Sequence, residues 1–445
     1  MEGILTSHAT PALCGETGGK ESRHGRRDTE KAEAGEHAVV TTPRILCGWE
    51  FGAGLGHVTR LKPIVTALRD GGAEIVVALQ DLDRASAFLD PQTGKALPGF
   101  NVVSGPRWEM PRNPEARKIP THSFADVLNL IGYGNAAALA ARVEAWSGLI
   151  NAYKPDLVLG DFCPTLRLAA RGQVPMIMVG NGYTIPPAGR ALPPIRPWQS
   201  KLEAFSVEHE EKILKAINAV LSRRGEPTMD FLSDALNGDE TCVFSISLVD
   251  PYAAYREAPQ LPPFNLPAGL RPRPLAERGN ANVFFYMPSR QPELRKTIEG
   301  VTAAAVSCEA YISDLGQRDA EALSSPSFKI HRAPQPFDEV IPRARLIVHH
   351  GGLSTAVAAI QAATPQLIVP WNLEHLVTAR RVETLGAAVV VESDWTPKRI
   401  ADAVKKMVRD KPLAIRAANA VDKIQLGAPE EALKHVVTRC NALMG

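Results

Sequence analysis

The sequence predicts an α/β protein made of two doubly wound parallel-sheet domains in series, facing each other across a cleft. Three observations carry this. Short apolar runs of strand type alternate with helical stretches twice over, from Arg44 to Leu248 and again from Val283 to Val391. Between the two series lies a segment dominated by prolines, among them Pro251, Pro259, Pro262, Pro263, Pro267, Pro272 and Pro274, which is the composition of a linker. Each series also holds a glycine-rich turn between a strand and a helix, Phe51 to Gly56 in the first and His350 to Gly352 in the second. The expected divisions are a disordered tail over 1–42, a first domain over 43–250, a linker over 251–279, a second domain over 280–427, and a C-terminal helix over 428–445 packing back on the first domain.

The first series opens with Arg44 to Trp49 (RILCGW) as a strand, then the glycine turn. A helix follows, with Val58, Leu61, Val65 and Leu68 on one face and Gly71-Gly72 as its stop. Glu74 to Leu79 and Asn101 to Val103 read as strands, and 105–125 as a long Pro- and Arg-rich loop. One helix is expected over 124–152, leading to Asp156–Asp161 (DLVLGD), a buried strand that ends in an acid. Helix 164–172, strand Met176 to Val179, an irregular segment over 183–200, a charged amphipathic helix over 201–224 and strand Cys242 to Leu248 complete it. The second series runs as strand Val283 to Met287, helix 291–306, strand Ala310 to Ser313, helix 317–323, strand Phe328 to His331 and a loop and turn over Pro334 to Val340. Strand Leu346 to Val348, helix Thr355 to Ala363, strands Leu367 to Val369 and Ala387 to Val391 and helix 396–409 follow.

Composition narrows the function. At 445 residues, 45% hydrophobic and 22% charged, the chain is an ordinary enzyme-like globule with room for two cores. A formal net charge of +2 gives no electrostatic case for nucleic-acid binding. Six cysteines (Cys14, Cys47, Cys163, Cys242, Cys308 and Cys440) are spread out with no CxxC pair, which reads as reduced thiols in a cytoplasmic protein. No apolar run is long enough to span a membrane, and residues 1–42 lack the apolar core of a secretory signal; peripheral membrane contact stays open.

The residues that carry chemistry sit at the two glycine turns. At the second, Gly351, Gly352, Ser354 and Thr355 begin a helix, so free backbone N–H groups and a positive dipole end offer a seat for a phosphate, with His350 as a further donor. At the first, Gly52, Gly54 and Gly56 are followed by His57 in a spacing that departs from the dinucleotide-binding G-x-G-x-x-G. His57 lies in the first helical turn, where the dipole disfavours a charged ring, so a neutral imidazole able to accept a proton is expected. Asp161 ends a strand at the same sheet edge. It is either the carboxylate that orients His57 or the N-cap of the helix starting at Pro164. Asp81-Leu82-Asp83 has the form of a metal-binding DxD, but its place after a strand favours helix capping. His349-His350 has no companion ligands in sequence, so no metal site is expected.

With these residues in view, the chain resembles the UDP-glycosyltransferase family, the inverting nucleotide-sugar transferases of GT-B fold, in its bacterial form. The resemblance is strongest over Pro334 to Gly386 and reaches 44–72 and 154–180. Its donor motif is carried by Pro334-Gln335, His350-Gly351-Gly352 with Ser354-Thr355, Thr364-Pro365, and Glu374-His375 after Pro370; the N-terminal part is Gly56-His57 within GAGLGHVTR. The resemblance implies a GT-B fold of two Rossmann-like domains. It implies that His350 and the amides of Gly352 to Thr355 hold a diphosphate, that Gln335 touches the ribose and Glu374 the donor sugar, that His57 is the catalytic base and that Asp161 is its partner. The chain departs from the family pattern at Arg332 (where a base-stacking Trp is usual), at Ala358 (a ribose-binding acid), at His375 (a Gln) and at Tyr286-Met287-Pro288-Ser289 (a Gly-Ser).

The function so implied is an inverting, metal-independent transfer of a hexose from a UDP- or dTDP-sugar, a co-substrate rather than a resident cofactor, to a hydroxyl of a small or lipid-like acceptor. The acceptor pocket is expected from loops 105–125 and 183–200, with Trp108, Tyr183 and Trp198 as apolar walls. Two other readings use the same site. One is a nucleotide-sugar 2-epimerase or hydrolase on the same fold. The other is a non-catalytic nucleotide-sugar-binding protein, for which the departures at Ala358 and Arg332 speak.

Overall fold

A computed structural model describes residues 42–52, 56–109, 120–263, 266–267, 269–278, 282–424 and 426–445. The tail expected over 1–42 lies outside these apart from Thr42, as do Gly54 and residues 110–119 of the loop 105–125.

The first half builds a sheet from β1 (Arg44–Trp49), β2 (Glu74–Leu79), β3 (Phe100–Ser104), β4 (Leu157–Asp161), β5 (Met176–Gly180) and β6 (Glu240–Val243). The second half builds another from β7 (Asn282–Pro288), β8 (Ser307–Ser313), β9 (Phe328–His331), β10 (Leu346–His349), β11 (Gln366–Ile368) and β12 (Ala388–Val390). Every strand pair is parallel. The orders are β3-β2-β1-β4-β5-β6 and β9-β8-β7-β10-β11-β12, the same winding twice. Helices cover both faces, which is why the central strands are apolar on both sides: all but the first residue of β1 and all of β4 and β10 are buried.

In such a sheet ligands bind beyond the strand C-termini at the point where the winding reverses, between β1 and β4 and between β7 and β10. The register makes those ends flush. Trp49 lies beside Asp161 in the first sheet, and His349 beside Tyr286 in the second.

The helices are α1 (Gly56–Asp70), α2 (Phe124–Ile131), α3 (Ala136–Tyr153), α4 (Pro164–Ala170), α5 (Ala204–Arg223), α6 (Leu294–Ala303), α7 (Gln317–Leu323), α8 (Phe337–Arg343), α9 (Leu353–Gln361), α10 (Leu373–Glu383), α11 (Pro397–Met407), α12 (Lys411–Val421) and α13 (Pro429–Met444). The single helix expected over 124–152 is two. Gly132 ends α2 in a left-handed conformation at φ 92°, and the Asn135 side chain accepts from the Ala137 and Ala138 amides to start α3. Residues 82–88 form a 3₁₀ helix, and Asp81 caps it by accepting from the Asp83 amide, as the capping reading of DxD expects. The stretch read as loop and turn over 334–340 runs into α8. Neither α10 nor α12 was expected, although Asn372 and Asp410 cap them through their side chains.

The proline-rich segment is tied down at both ends. Leu261 pairs with Val243 and Ser245 through backbone bonds, extending the first sheet. Arg278 is buried, and its guanidinium donates to the carbonyls of Ala344 and Ala362 and to Thr364 Oγ1 at 2.9–3.1 Å. Burial, with Arg345 and Arg273 nearby, lowers its pKa to about 10. The five described cysteines are free and buried. Among the described residues no helix is long and apolar enough to cross a membrane.

Helix α13 returns to the first sheet. Its Ala432, Val436 and Cys440 share one apolar core with Val58, Leu61 and Val65 of α1 and Ile45 and Leu159 of the sheet. Val436 is fully buried. Val436→Ala is therefore expected to lower unfolding free energy by about 2 kcal/mol, from two lost methyl groups and the gap they leave. Urea unfolding followed at the first domain's tryptophans measures this, and an unchanged midpoint would contradict the docking of α13.

Candidate active site

The two reversal points face each other across a cavity of about 450 Å³, lined from both halves of the chain. From the first half come His57, Arg60, Arg84 and Asn181; from the second come Tyr286, Asp314, His350, Gly352, Ser354, Thr355, Glu374 and His375, among others.

His57 enters on the first turn of α1, directly after the glycine loop. Its ring stacks on Trp49, with centroids 5.4 Å apart and planes 19° apart. On its other side, a Cβ at Gly52 would fall 2.2 Å from His57 Nε2, and Gly52 has φ 88°. Only glycine fits that place, so the imidazole is clamped between an indole and a bare backbone. His57 Nδ1 lies 2.8 Å from Asp161 Oδ1. Asp161 is fully buried at the end of β4, and Arg60 NH1 bonds its other oxygen. Burial by itself would raise the Asp161 carboxyl, but the charge of Arg60, then His57, and the bonds from both hold it below the ordinary carboxylate value. An ionised carboxylate only accepts, so His57 Nδ1 is the donor, which leaves Nε2 as the ring nitrogen not engaged by Asp161. Asp161 is thus the partner of His57 and not a cap. The residue before α4 is Cys163, with no side-chain capping bond.

Arg60 was not singled out from sequence as a site residue. The signal was present: His57 and Arg60 are three apart in a helix and lie on one face.

On the opposite wall the chain turns from β10 into α9 through His349, His350, Gly351 and Gly352. His349 does not reach the cavity; it is fully buried and holds the turn. The Gly351 amide donates to its Nδ1 at 3.1 Å, so Nε2 carries the hydrogen and donates to Gln366 Oε1 at 2.9 Å. Gly351 itself sits at φ 95°, packed against the His375 carbonyl. The result points the N-terminus of α9 at the cavity, with no side chain capping its amides. His350 lies against Tyr286 and His375, with ring centroids 5.6 Å and 4.7 Å away. Burial lowers the pKa of His350 to about 4 and that of His349 to about 3. Glu374 also lines the cavity and accepts from Asn181 Nδ2 at 2.6 Å, a bond between the two halves. Arg84 and Asp314 make a second link at 3.3 Å.

Five expected positions fall elsewhere. Trp108 is no pocket wall: its indole is buried, stacked on Tyr133 at 5.1 Å, and donates to Glu50 Oε1 at 2.7 Å. Glu50 is itself buried, and burial pushes its pKa up to about 7 against the bonds from Thr165 and Trp108. Tyr183 packs edge-on against Phe124 at 5.7 Å, in the apolar core beside the cavity. Trp198 is 50% exposed on the surface. Arg332 is held outside by an ion pair to Glu321 at 3.1 Å, its side chain 72% exposed, and Gln335 donates to the Ala333 carbonyl. The apolar surface actually presented to the cavity comes from Phe244, Pro263, Pro288, Phe337 and Trp371.

Comparison with known proteins finds similarity to glycosyltransferases. Residues 311–443 match the C-terminal domain described as erythromycin biosynthesis protein CIII-like. The chain is 26% identical over 371 residues to the L-demethylnoviosyl transferase of Streptomyces niveus, covering 81% of this chain and 88% of that protein. Among solved structures, the calicheamicin glycosyltransferase CalG4 aligns with a TM-score of 0.61 at 20% identity, over 89% of this chain and 98% of that one. The glycosyltransferase VinC in complex with DTDP aligns at 0.58 and 18% identity, over 90% and 99%.

The buried histidines set an acid limit on stability. Both rings are neutral in the folded chain, at about 3 and about 4, and return to an ordinary 6.5 when unfolded. The unfolded chain then binds more protons below that value, so stability is full above about 6.5 and falls as pH drops through the window towards about 4. Urea midpoints at neutral and mildly acidic pH are expected to differ in that sense, and His350→Gln is expected to narrow the difference.

Proposed function

Since this chain is similar to GT-B-fold glycosyltransferases across both of its sheets, we propose that it is an inverting hexosyltransferase using a UDP- or dTDP-sugar. The observation that carries the reading is the meeting of two unlike sites in one cavity. One is an imidazole oriented by a buried carboxylate; the other is an open helix N-terminus flanked by His350.

His57 Nε2 takes the proton of an acceptor hydroxyl. The oxygen bonds to the anomeric carbon in line with the bond to the phosphate oxygen, which breaks. The nucleoside diphosphate leaves with one more negative charge, and the sugar's anomeric configuration inverts. Asp161 stays ionised and steadies the imidazolium, and Arg60 keeps Asp161 from taking the proton itself. The N–H groups at Gly352 to Thr355, the α9 dipole and His350 take up the departing charge, which is why no metal is required in this scheme. Glu374 and His375 contact the donor sugar. The acceptor, a small or lipid-like alcohol, enters along the apolar lining at Phe244, Pro263 and Trp371. A dTDP-sugar is supported by VinC, whose structure holds DTDP, and transfer of a hexose by the L-demethylnoviosyl transferase.

General-base action is worth about 10²–10⁴ in rate. His57→Ala is expected to slow transfer by that factor while dTDP or UDP still binds; unaltered turnover would remove His57 from the role of base. Transfer is expected to continue at full rate in excess EDTA. Loss of rate restored by added magnesium or manganese would overturn metal independence.

A further inference from the structure

Two imidazoles meet at the donor side of the cavity, where one polar side chain would serve to hold a sugar. The rings of His350 and His375 are 4.7 Å apart, edge to face, and the Nδ1 atom of each is buried without a hydrogen-bond partner. His375 also stacks on Trp371, at 6.1 Å and 15°. Both residues line the cavity beside Gly352 and Ser354, at the open start of α9. A buried ring nitrogen without a partner is an unfilled bonding position, and both rings belong to residues that line the cavity at the start of α9, with His350 Nε2 the ring atom nearest Gly352.

From this arrangement we infer that the His350–His375 pair takes up one proton as the donor's diphosphate arrives, so that the donor is bound by an imidazolium in an otherwise neutral pocket. This rests on the donor reading given above.

While the cavity is empty, burial keeps both rings neutral: His350 titrates at about 4, and His375 is lowered well below its ordinary value by burial and by His350 and His349. A diphosphate placed beside the pair reverses the balance, because a nearby negative charge favours the charged ring. The uptake is one proton and not two, since each ring's charge opposes the other's. The surrounding groups agree. From β10 comes neutral His349, from β7 Tyr286, whose phenol is raised by burial, and from α10 Glu374, whose carboxylate favours an imidazolium. Arg290 and Asp314 lie at the ends of β7 and β8 and are within 3.8 Å of each other, so their charges oppose. Arg60, Arg84 and His57 come from the opposite wall, Arg60 bonded to Asp161 and Arg84 to Asp314.

The test is calorimetry of dTDP-glucose and UDP-glucose binding to the full chain. These are diphosphate diesters, so the ligand itself does not titrate near neutrality. Titrations in two buffers of different ionisation heat give the protons taken up, and need no variant. Uptake approaching one is expected, with Kd tightening about tenfold for each pH unit lowered between about 8 and about 6. Replacing both rings, H350Q/H375Q, is expected to remove that uptake, which separates the pair from His57 across the cavity; a melting curve confirms that the variant is folded. Binding without proton uptake overturns the inference, and so does uptake that survives in the H350Q/H375Q variant. Failure of either sugar nucleotide to bind at any pH overturns the donor reading itself.

Discussion

A buried carboxylate must be answered by protein groups, and the arrangement of the first domain follows from how Asp161 is answered. It closes a strand and is fully buried, so it requires a donor on each oxygen. Arg60 and His57 supply them from one face of one helix. That requirement fixes the rotation of α1 about its axis, and Gly52 leaves room for the His57 ring where a Cβ would meet it. Trp49, the neighbour of Asp161 in the sheet, then finds the ring as its own stacking surface. A charged network on the acceptor side is thus a structural necessity as well as a chemical asset.

The opposite wall is organised on the contrary principle. No charged group holds the turn from β10 into α9; neutral His349 does, through two bonds whose directions are set by the Gly351 amide. What remains open there is a set of backbone N–H groups and two uncharged rings. A wall so built holds no permanent cation at the start of α9: backbone dipoles are in place from the outset, and the His350–His375 pair would gain its charge only as an anion arrives.

Much of this was readable in the residues. Strands buried on both faces announce themselves as unbroken apolar runs, and RILCGW, DLVLGD and LIVH did so. His57, Asp161, His350 and the α9 start were visible because the chain order of a doubly wound sheet places loop residues at one edge. The misreadings have local causes. Trp108 and Tyr183 lie in irregular segments, where aromatic content says nothing about which way a ring turns; Glu50, the residue directly after β1, captured the first. The turn at Gly132 to Asn135 was hidden by an apolar run that continues through it. Arg332 directly follows β9, and Glu321 on α7 draws it outward, a pairing that the order of residues around it does not show. The contacts between halves, Asn181 with Glu374 and Arg84 with Asp314, join residues far apart in sequence and have no local signature.

The return of α13 has a consequence for how the molecule is made. Its Val436 and Cys440 fill the face of the first sheet that α1 only partly covers. The first sheet is therefore encoded first and its core finished last. During synthesis the N-terminal sheet leaves the ribosome with an apolar seam beside Val58 and Leu61, and the seam closes only when the final helix emerges. A chain that stops before residue 429 lacks the helix that completes the apolar core behind α1, the helix that carries His57.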